Sequence, residues 1–162
     1  RVAAVDAGLA PDIVTAMNGN ILDYSWKLDF GRLFGFAGGS ASEVKRAVLY
    51  GSRPPKNDSL WTAAERVGFD VVVHDRNAQN REKKIDVHIA TDMVADSYEL
   101  ADPAYDEITL VAGDRDYVPT VERLRARGMK VEVVFWSHGS RELQEACTRF
   151  VALDPHLKHL RR

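Results

Sequence analysis

The chain has 162 residues, 45% of them hydrophobic and 28% charged, enough to bury the core of one ordinary domain, read here as residues 1–162. A net charge of −2 excludes a globally basic nucleic-acid binder, so any phosphate-binding surface has to be local. No run approaches the roughly 18 apolar residues of a membrane span, the 162-residue sequence does not open on a charged-then-apolar signal pattern, and repeats and low-complexity tracts are absent from it, so no membrane partner is expected.

Val2–Val5 reads as a first strand, closed by Asp6. Because it starts almost at the first residue, the chain reads as a domain taken from a longer protein. The region from Gly8 to about Phe36 is harder to parse, with Ala10–Met17 and Leu28–Phe34 as candidate helices. Gly38, Gly39, Ser40 and Ser42 mark a turn before a second strand, Arg46–Tyr50. Trp61, Ala64 and Val67 give helical spacing that stops at Gly68. Phe69–Val73 is a third strand. The polar stretch Arg76–Lys84 then reads as an exposed basic loop. Asp86 would open a long helix striped by Ile85, Ile89, Ala90, Met93 and Val94. Glu107–Val111 is the fourth strand, and Val118, Val121 and Leu124 line a helix that Gly128 ends. Val131–Phe135 is the fifth strand. A last helix, capped at Ser140, carries Leu143, Ala146 and Cys147, and Phe150–Leu153 is a weaker sixth strand. Cys147, the single cysteine, has no internal disulfide partner and points to a reducing, cytoplasmic setting. Short apolar, β-branched strands alternating with helices predict an α/β, Rossmann-like three-layer sandwich around a mainly parallel sheet.

Ligands of such sheets collect outside the carboxyl ends of the strands, where strand order reverses. Asp6 and Asp114 follow the first and fourth strands directly; Asp116 stands two residues on, and Asp86 sits at the start of its helix. Taken singly, each has a plain structural reading, since aspartate favours turns and helix caps. Taken together they describe crowded carboxylates, which repel one another unless a cation neutralises them. Hard oxygen ligands suit Mg²⁺ or Mn²⁺, and the chemistry that follows is hydrolysis of a phosphodiester. Asp92 lies six positions after Asp86, about 240° around a helix, and so would miss the same site. Asp96, Asp102 and Asp106 read as solvated or turn residues.

Arg53, Lys56, Arg76, Arg81, Lys83 and Lys84 fall in loops at the same end of the sheet, where positive walls would steer a polyanion. Lys83 is the favoured substrate contact, with Arg115 beside the aspartates as a second. His74, His88 and His138 lack zinc spacing and read as packing or surface residues, and Trp26, Trp61 and Trp136 as packing groups. No Gly-x-Ser-x-Gly elbow or phosphate-binding Gly-Lys loop is present.

Four segments resemble the NYN branch of the PIN-like nuclease superfamily, and within it the LabA-like group. They are Val5-Asp6-Ala7-Gly8; Ala47-Val48-Leu49-Tyr50-Gly51-Ser52, with Val67-Gly68-Phe69-Asp70-Val71 after it; Glu82-Lys83-Lys84-Ile85-Asp86-Val87, running to Met93; and Val111-Ala112-Gly113-Asp114-Arg115-Asp116-Tyr117-Val118-Pro119, followed by Gly128-Met129-Lys130-Val131 and Phe135-Trp136. The last two are specific as a pair. The resemblance implies that strands one and four are neighbours. It also implies a metal-dependent, endonucleolytic ribonuclease acting on an RNA substrate, with Asp6, Asp86, Asp114 and Asp116 as the acidic centre. Lys83 matches the lysine that the family places before its helix aspartate. A homodimer or flanking domains are compatible with it. Two positions depart from the pattern: Leu9 stands where an asparagine is frequent, and Ala112 where a serine is. Leu9 keeps a second reading open, a catalytically inactive RNA-binding or regulatory module. A phosphatase with an aspartate nucleophile would need Asp-x-Asp after the first strand, and Asp6 is followed by Ala7-Gly8.

Overall fold

A computed structural model describes residues 2–6, 28–39, 43–52, 59–74 and 81–160. Six strands form one all-parallel sheet: β1 (Val2–Asp6), β2 (Arg46–Ser52), β3 (Asp70–His74), β4 (Glu107–Val111), β5 (Lys130–Phe135) and β6 (Arg149–Ala152). Their order, β3-β2-β1-β4-β5-β6, is that of a doubly wound Rossmann-like sheet. The helices among the described residues are α1 (Phe30–Gly38), α2 (Ser59–Arg66), α3 (Arg81–Glu99), α4 (Val118–Ala126), α5 (Arg141–Ala146) and α6 (Leu157–Leu160). The expected α/β sandwich is therefore present, including the sixth strand.

Alternating side chains divide the core into two layers. Val2, Ala4, Val48, Ile108, Leu110 and Val131 face Ile85, Ile89 and Met93 of α3, Val121 and Leu124 of α4, and Leu143 of α5. Ala3, Val5, Ala47, Leu49, Val111 and Val134 face Leu33 and Phe34 of α1, Trp61 and Ala64 of α2, and Leu160 of α6. Trp61 and Trp136 are core groups, as expected, while Trp26 and the candidate helix Ala10–Met17 lie outside the described residues. Gly68 and Gly128, at φ 117° and 88°, follow α2 and α4, conformations in which an L side chain would be strained.

Three expectations need correction. The helix expected at Leu28–Phe34 runs instead over Phe30–Gly38, because Asp29 caps it, accepting a bond from the Arg32 amide at 3.0 Å. The basic stretch is not all loop: α3 begins at Arg81, so Arg81, Lys83 and Lys84 are helical and Asp86 is its sixth residue, not its opening one. Arg, Glu and Lys are good helix formers, and a polar first turn carries no apolar stripe to announce it. Finally, Asp96 and Asp106 are buried rather than solvated. Arg46 reaches Asp96 at 2.7 Å, and Lys45 reaches Asp106 at 2.6 Å. Asp102 is the turn residue expected, accepting from the Ala104 amide at 2.9 Å.

Candidate metal centre

The order in which strands are added reverses between β1 and β4, which pair in parallel with Val5 opposite Val111. Asp6 is the last residue of β1, so its backbone stands at this switch point; its side chain is outside the described residues. β4 ends at Val111 and hands over to Ala112, Gly113 and Asp114. Gly113 is required by space. A Cβ there would lie 2.1 Å from the ring of Phe135, and the Gly113 carbonyl accepts from the Ser140 amide at 2.9 Å. A bare backbone at this point lets the β4 loop press against the end of β5 and fixes where Asp114 emerges.

Asp114 has extended backbone (φ −82°, ψ 136°) and caps the short 3₁₀ turn Arg115–Tyr117. Its Oδ1 accepts from the Asp116 amide at 2.9 Å. The plain reading of Asp114 as a cap is thus correct, yet one hydrogen bond leaves the carboxylate with further acceptor capacity. Tyr117 is 1% exposed and donates its hydroxyl to Asp86 Oδ1 at 2.8 Å. Sequence reasoning missed this role; the signal was an apolar ring three residues after Asp114, whose hydroxyl needs a partner once buried. Because α3 starts a turn early, Asp86 does not cap it. Its half-buried carboxylate projects from the second turn instead.

Asp86, Asp114 and Asp116 thereby come together, with one carboxylate oxygen of each within 4.8 Å of the others. Asp114 and Asp116 are exposed, and among the described residues no Lys, Arg or His forms an ion pair with either. Like charges about 5 Å apart repel by on the order of 1 kcal/mol even in water, and by more where solvent is partly excluded. An all-oxygen, all-anionic donor set of this kind fits a hard divalent cation.

Asp92 is not part of the cluster. It accepts from Tyr50 Oη at 2.8 Å and lies 3.2 Å from His88 Nε2, on another face of α3, as its angular offset predicted. His74 Nε2 meets His88 Nδ1 at 3.1 Å, so these two histidines pair with each other. Burial, together with the bond to Asp92, pushes the Tyr50 hydroxyl well above the ordinary tyrosine range. His138 is exposed beside the Phe135 ring. Arg115 is exposed on the 3₁₀ turn. Lys83 stands three residues before Asp86 in α3, but its side chain, like Arg53, Lys56, Arg76 and Leu9, lies outside the described residues.

The NYN domain model matches residues 4–154, nearly the whole chain and all of the elements that build this centre. The chain belongs to the NYN domain family. NYN domains are part of the PIN-like nuclease superfamily. This NYN domain is also similar to the crystal structure of a protein of unknown function from Vibrio parahaemolyticus RIMD 2210633. The two are 25% identical, with a TM-score of 0.70 over 94% of this chain and 91% of that one. No curated protein matches the chain significantly. Among the described residues, no helix of this NYN domain is long and apolar enough to cross a membrane.

Proposed function

We propose that this NYN domain is a metal-dependent ribonuclease that hydrolyses RNA phosphodiester bonds endonucleolytically. One observation carries the reading. Three carboxylates from two separate elements, Asp86 of α3 and Asp114 and Asp116 after β4, converge within 4.8 Å at the sheet's switch point. Asp6, ending β1 at the same place, completes the proposed acidic centre.

Mg²⁺ or Mn²⁺ bound there would supply Lewis-acid stabilisation of phosphoryl charge and a water nucleophile active near neutral pH. The protein's own part is positional. The cap to the Asp116 amide and the tight Gly113 turn hold Asp114, while Tyr117 holds Asp86, so the ligands are preorganised before substrate arrives. Lys83 and Arg115 are proposed to receive substrate phosphates flanking the scissile one. In-line displacement of the 3′-oxygen by water leaves a 5′-phosphate and a 3′-hydroxyl.

The test is cleavage of a labelled single-stranded RNA across a titration of Mg²⁺ and Mn²⁺. Metal-stimulated product is expected from the native chain. Asp114→Asn is expected to lower the rate by roughly 100-fold or more while leaving the circular dichroism spectrum unchanged. Undiminished activity in that variant would refute the assignment of the centre. Leu9, in place of the asparagine frequent in the family, favours a second reading, a non-catalytic RNA-binding module; RNA binding with no metal-stimulated product would select it.

A further inference from the structure

The turn that follows β5 presents an aromatic side chain beside the acidic centre, and the hydrolytic reading makes no use of it. β4 and β5 pair in parallel, with Leu110 opposite Val133, so Gly113 and Asp114 leave the sheet beside the end of β5. The two loops are fastened together: the Ser140 amide donates to the Gly113 carbonyl at 2.9 Å. Between them lies the ring of Phe135, the last residue of β5. A Cβ on Gly113 would come within 2.1 Å of that ring and a Cβ on Gly139 within 2.7 Å, so both loops are bare where they meet it. His138 is exposed, and its ring packs on Phe135 with centroids 5.4 Å apart and planes inclined by 56°.

The turn is braced along its length. The Gly139 amide donates to the Trp136 carbonyl at 3.0 Å. Ser137 donates through its amide and its hydroxyl to the two carboxylate oxygens of Asp154, at 2.8 and 3.1 Å. The Gln144 side-chain amide donates to the carbonyls of Ser137 and Gly139, at 3.2 and 3.0 Å. These bonds fix the backbone on either side of His138, and Trp136, 0% exposed, anchors the turn in the core. A ring mounted in this way is organised before a ligand arrives, so little ordering cost is left for binding.

The side chains able to share one cation are Asp86, Asp114 and Asp116, without His138. His138 therefore stands beside the metal's place and not on it. A strand whose scissile phosphate sits at the acids passes its neighbouring nucleotides over the loops that flank them. Unpaired bases present π-faces, and single-stranded RNA is held by stacking them on Phe, Tyr, Trp or His rings. The exposed Tyr98 and Tyr105 belong to the opposite end of the sheet, at the close of α3 and before β4. His138, backed by Phe135, adjoins the loop that carries Asp114.

We infer that His138 is a substrate-binding residue on which the base of a nucleotide next to the scissile phosphate stacks. The inference rests on the ribonuclease reading and adds to it a contact with the base, where the acids and their metal address the phosphate. Since every base has a π-face, the contact orients the strand without selecting its sequence.

The experiment first maps where the native chain cuts a labelled single-stranded RNA. Binding of that RNA is then measured with Asp114→Asn protein, which prevents turnover, with a fluorescent purine analogue placed in turn on either side of the cut. Stacking is expected to quench the analogue on one side. His138→Ala is expected to abolish that quenching and to weaken binding about five- to thirtyfold, while His138→Phe and His138→Trp, which keep a ring, retain both. Removing the base at that position, with sugar and phosphate left in place, is expected to cost as much as His138→Ala and to add nothing to it. Native-strength binding by His138→Ala, an equal loss on intact and abasic RNA, or a loss that neither ring variant escapes would overturn the inference and leave the ribonuclease reading standing. A native chain that does not cut RNA would remove that reading and this inference with it.

Discussion

The two ends of the sheet treat carboxylates in opposite ways. At the amino end, each buried acid has a cation: Asp96 meets Arg46, Asp106 meets Lys45, and Glu132 meets Arg149, which also lies 3.8 Å from Glu107. At the carboxyl end, Asp86, Asp114 and Asp116 crowd together, and hydrogen-bond donors orient two of them: the Asp116 amide for Asp114 and the Tyr117 hydroxyl for Asp86. The first arrangement is complete as folded. The second orients its acids, and among the described residues no Lys, Arg or His pairs with Asp114 or Asp116, as expected of a site that waits for a ligand. Stability is thus invested at one end, and electrostatic tension is held at the other, where function is proposed.

Removing a charge should therefore have opposite signs at the two ends. The largest effect is expected for Arg46→Ala. Asp96 is buried, and burial already raises its pKa against the opposing pull of Arg46. Left alone, it must take up a proton or lose its place. A cost of about 2–4 kcal/mol in urea unfolding is expected, the lower part of that range reflecting the partial exposure of Arg46. A loss well under 1 kcal/mol would mean that the amino-end pairs are ornamental and the contrast false.

A smaller effect is expected from acid. Asp106 is held at a pKa of about 2, chiefly by the bond from the Asp102 amide and next by Lys45. Since the folded value lies below the ordinary aspartate value of 3.8, this contribution is fully present above about pH 4 and is lost as pH falls through about 2. Urea midpoints measured between pH 5 and pH 2 should fall across that window, and Lys45→Met should flatten the fall. Smallest, and of opposite sign, is the effect of Asp116→Asn. Without divalent metal it is expected to stabilise the fold by roughly 0.5 kcal/mol through relief of like-charge repulsion. Destabilisation by 1 kcal/mol or more would show that Asp116 serves as a structural acid, like those at the other end.

The same contrast explains what was legible in the sequence. The strands are short apolar runs buried on both faces, so their positions could be read to within a residue or two, as with Phe69–Val73 against the observed Asp70–His74. Asp114 and Asp116 could be read because they stand beside a recognisable element boundary, the end of β4. Adjacency of β1 and β4 came from family resemblance, since spacing alone cannot order strands. The amino-end pairs were misread because their partners are remote in sequence: Asp96 lies 50 residues from Arg46, and Asp106 lies 61 from Lys45. Local pattern reports a polar residue and says nothing of a cation arriving from another strand. The start of α3 was misplaced for a related reason, its first turn being polar, and with it went the true position of Asp86 within the helix. The Tyr50–Asp92–His88–His74 chain was invisible because it joins two strands and a helix, and histidines without metal spacing carry no signature of their own.

The central claim is that the three converging carboxylates hold a divalent cation. Its most direct test is thermal unfolding with and without millimolar Mn²⁺, for the native chain and for Asp116→Asn side by side. Ligand linkage predicts that Mn²⁺ raises the melting temperature of the native chain in a saturable way, and that the rise disappears in the variant even though the variant melts higher without metal. A native melting temperature indifferent to Mn²⁺, or an equal rise in both proteins, would contradict the account.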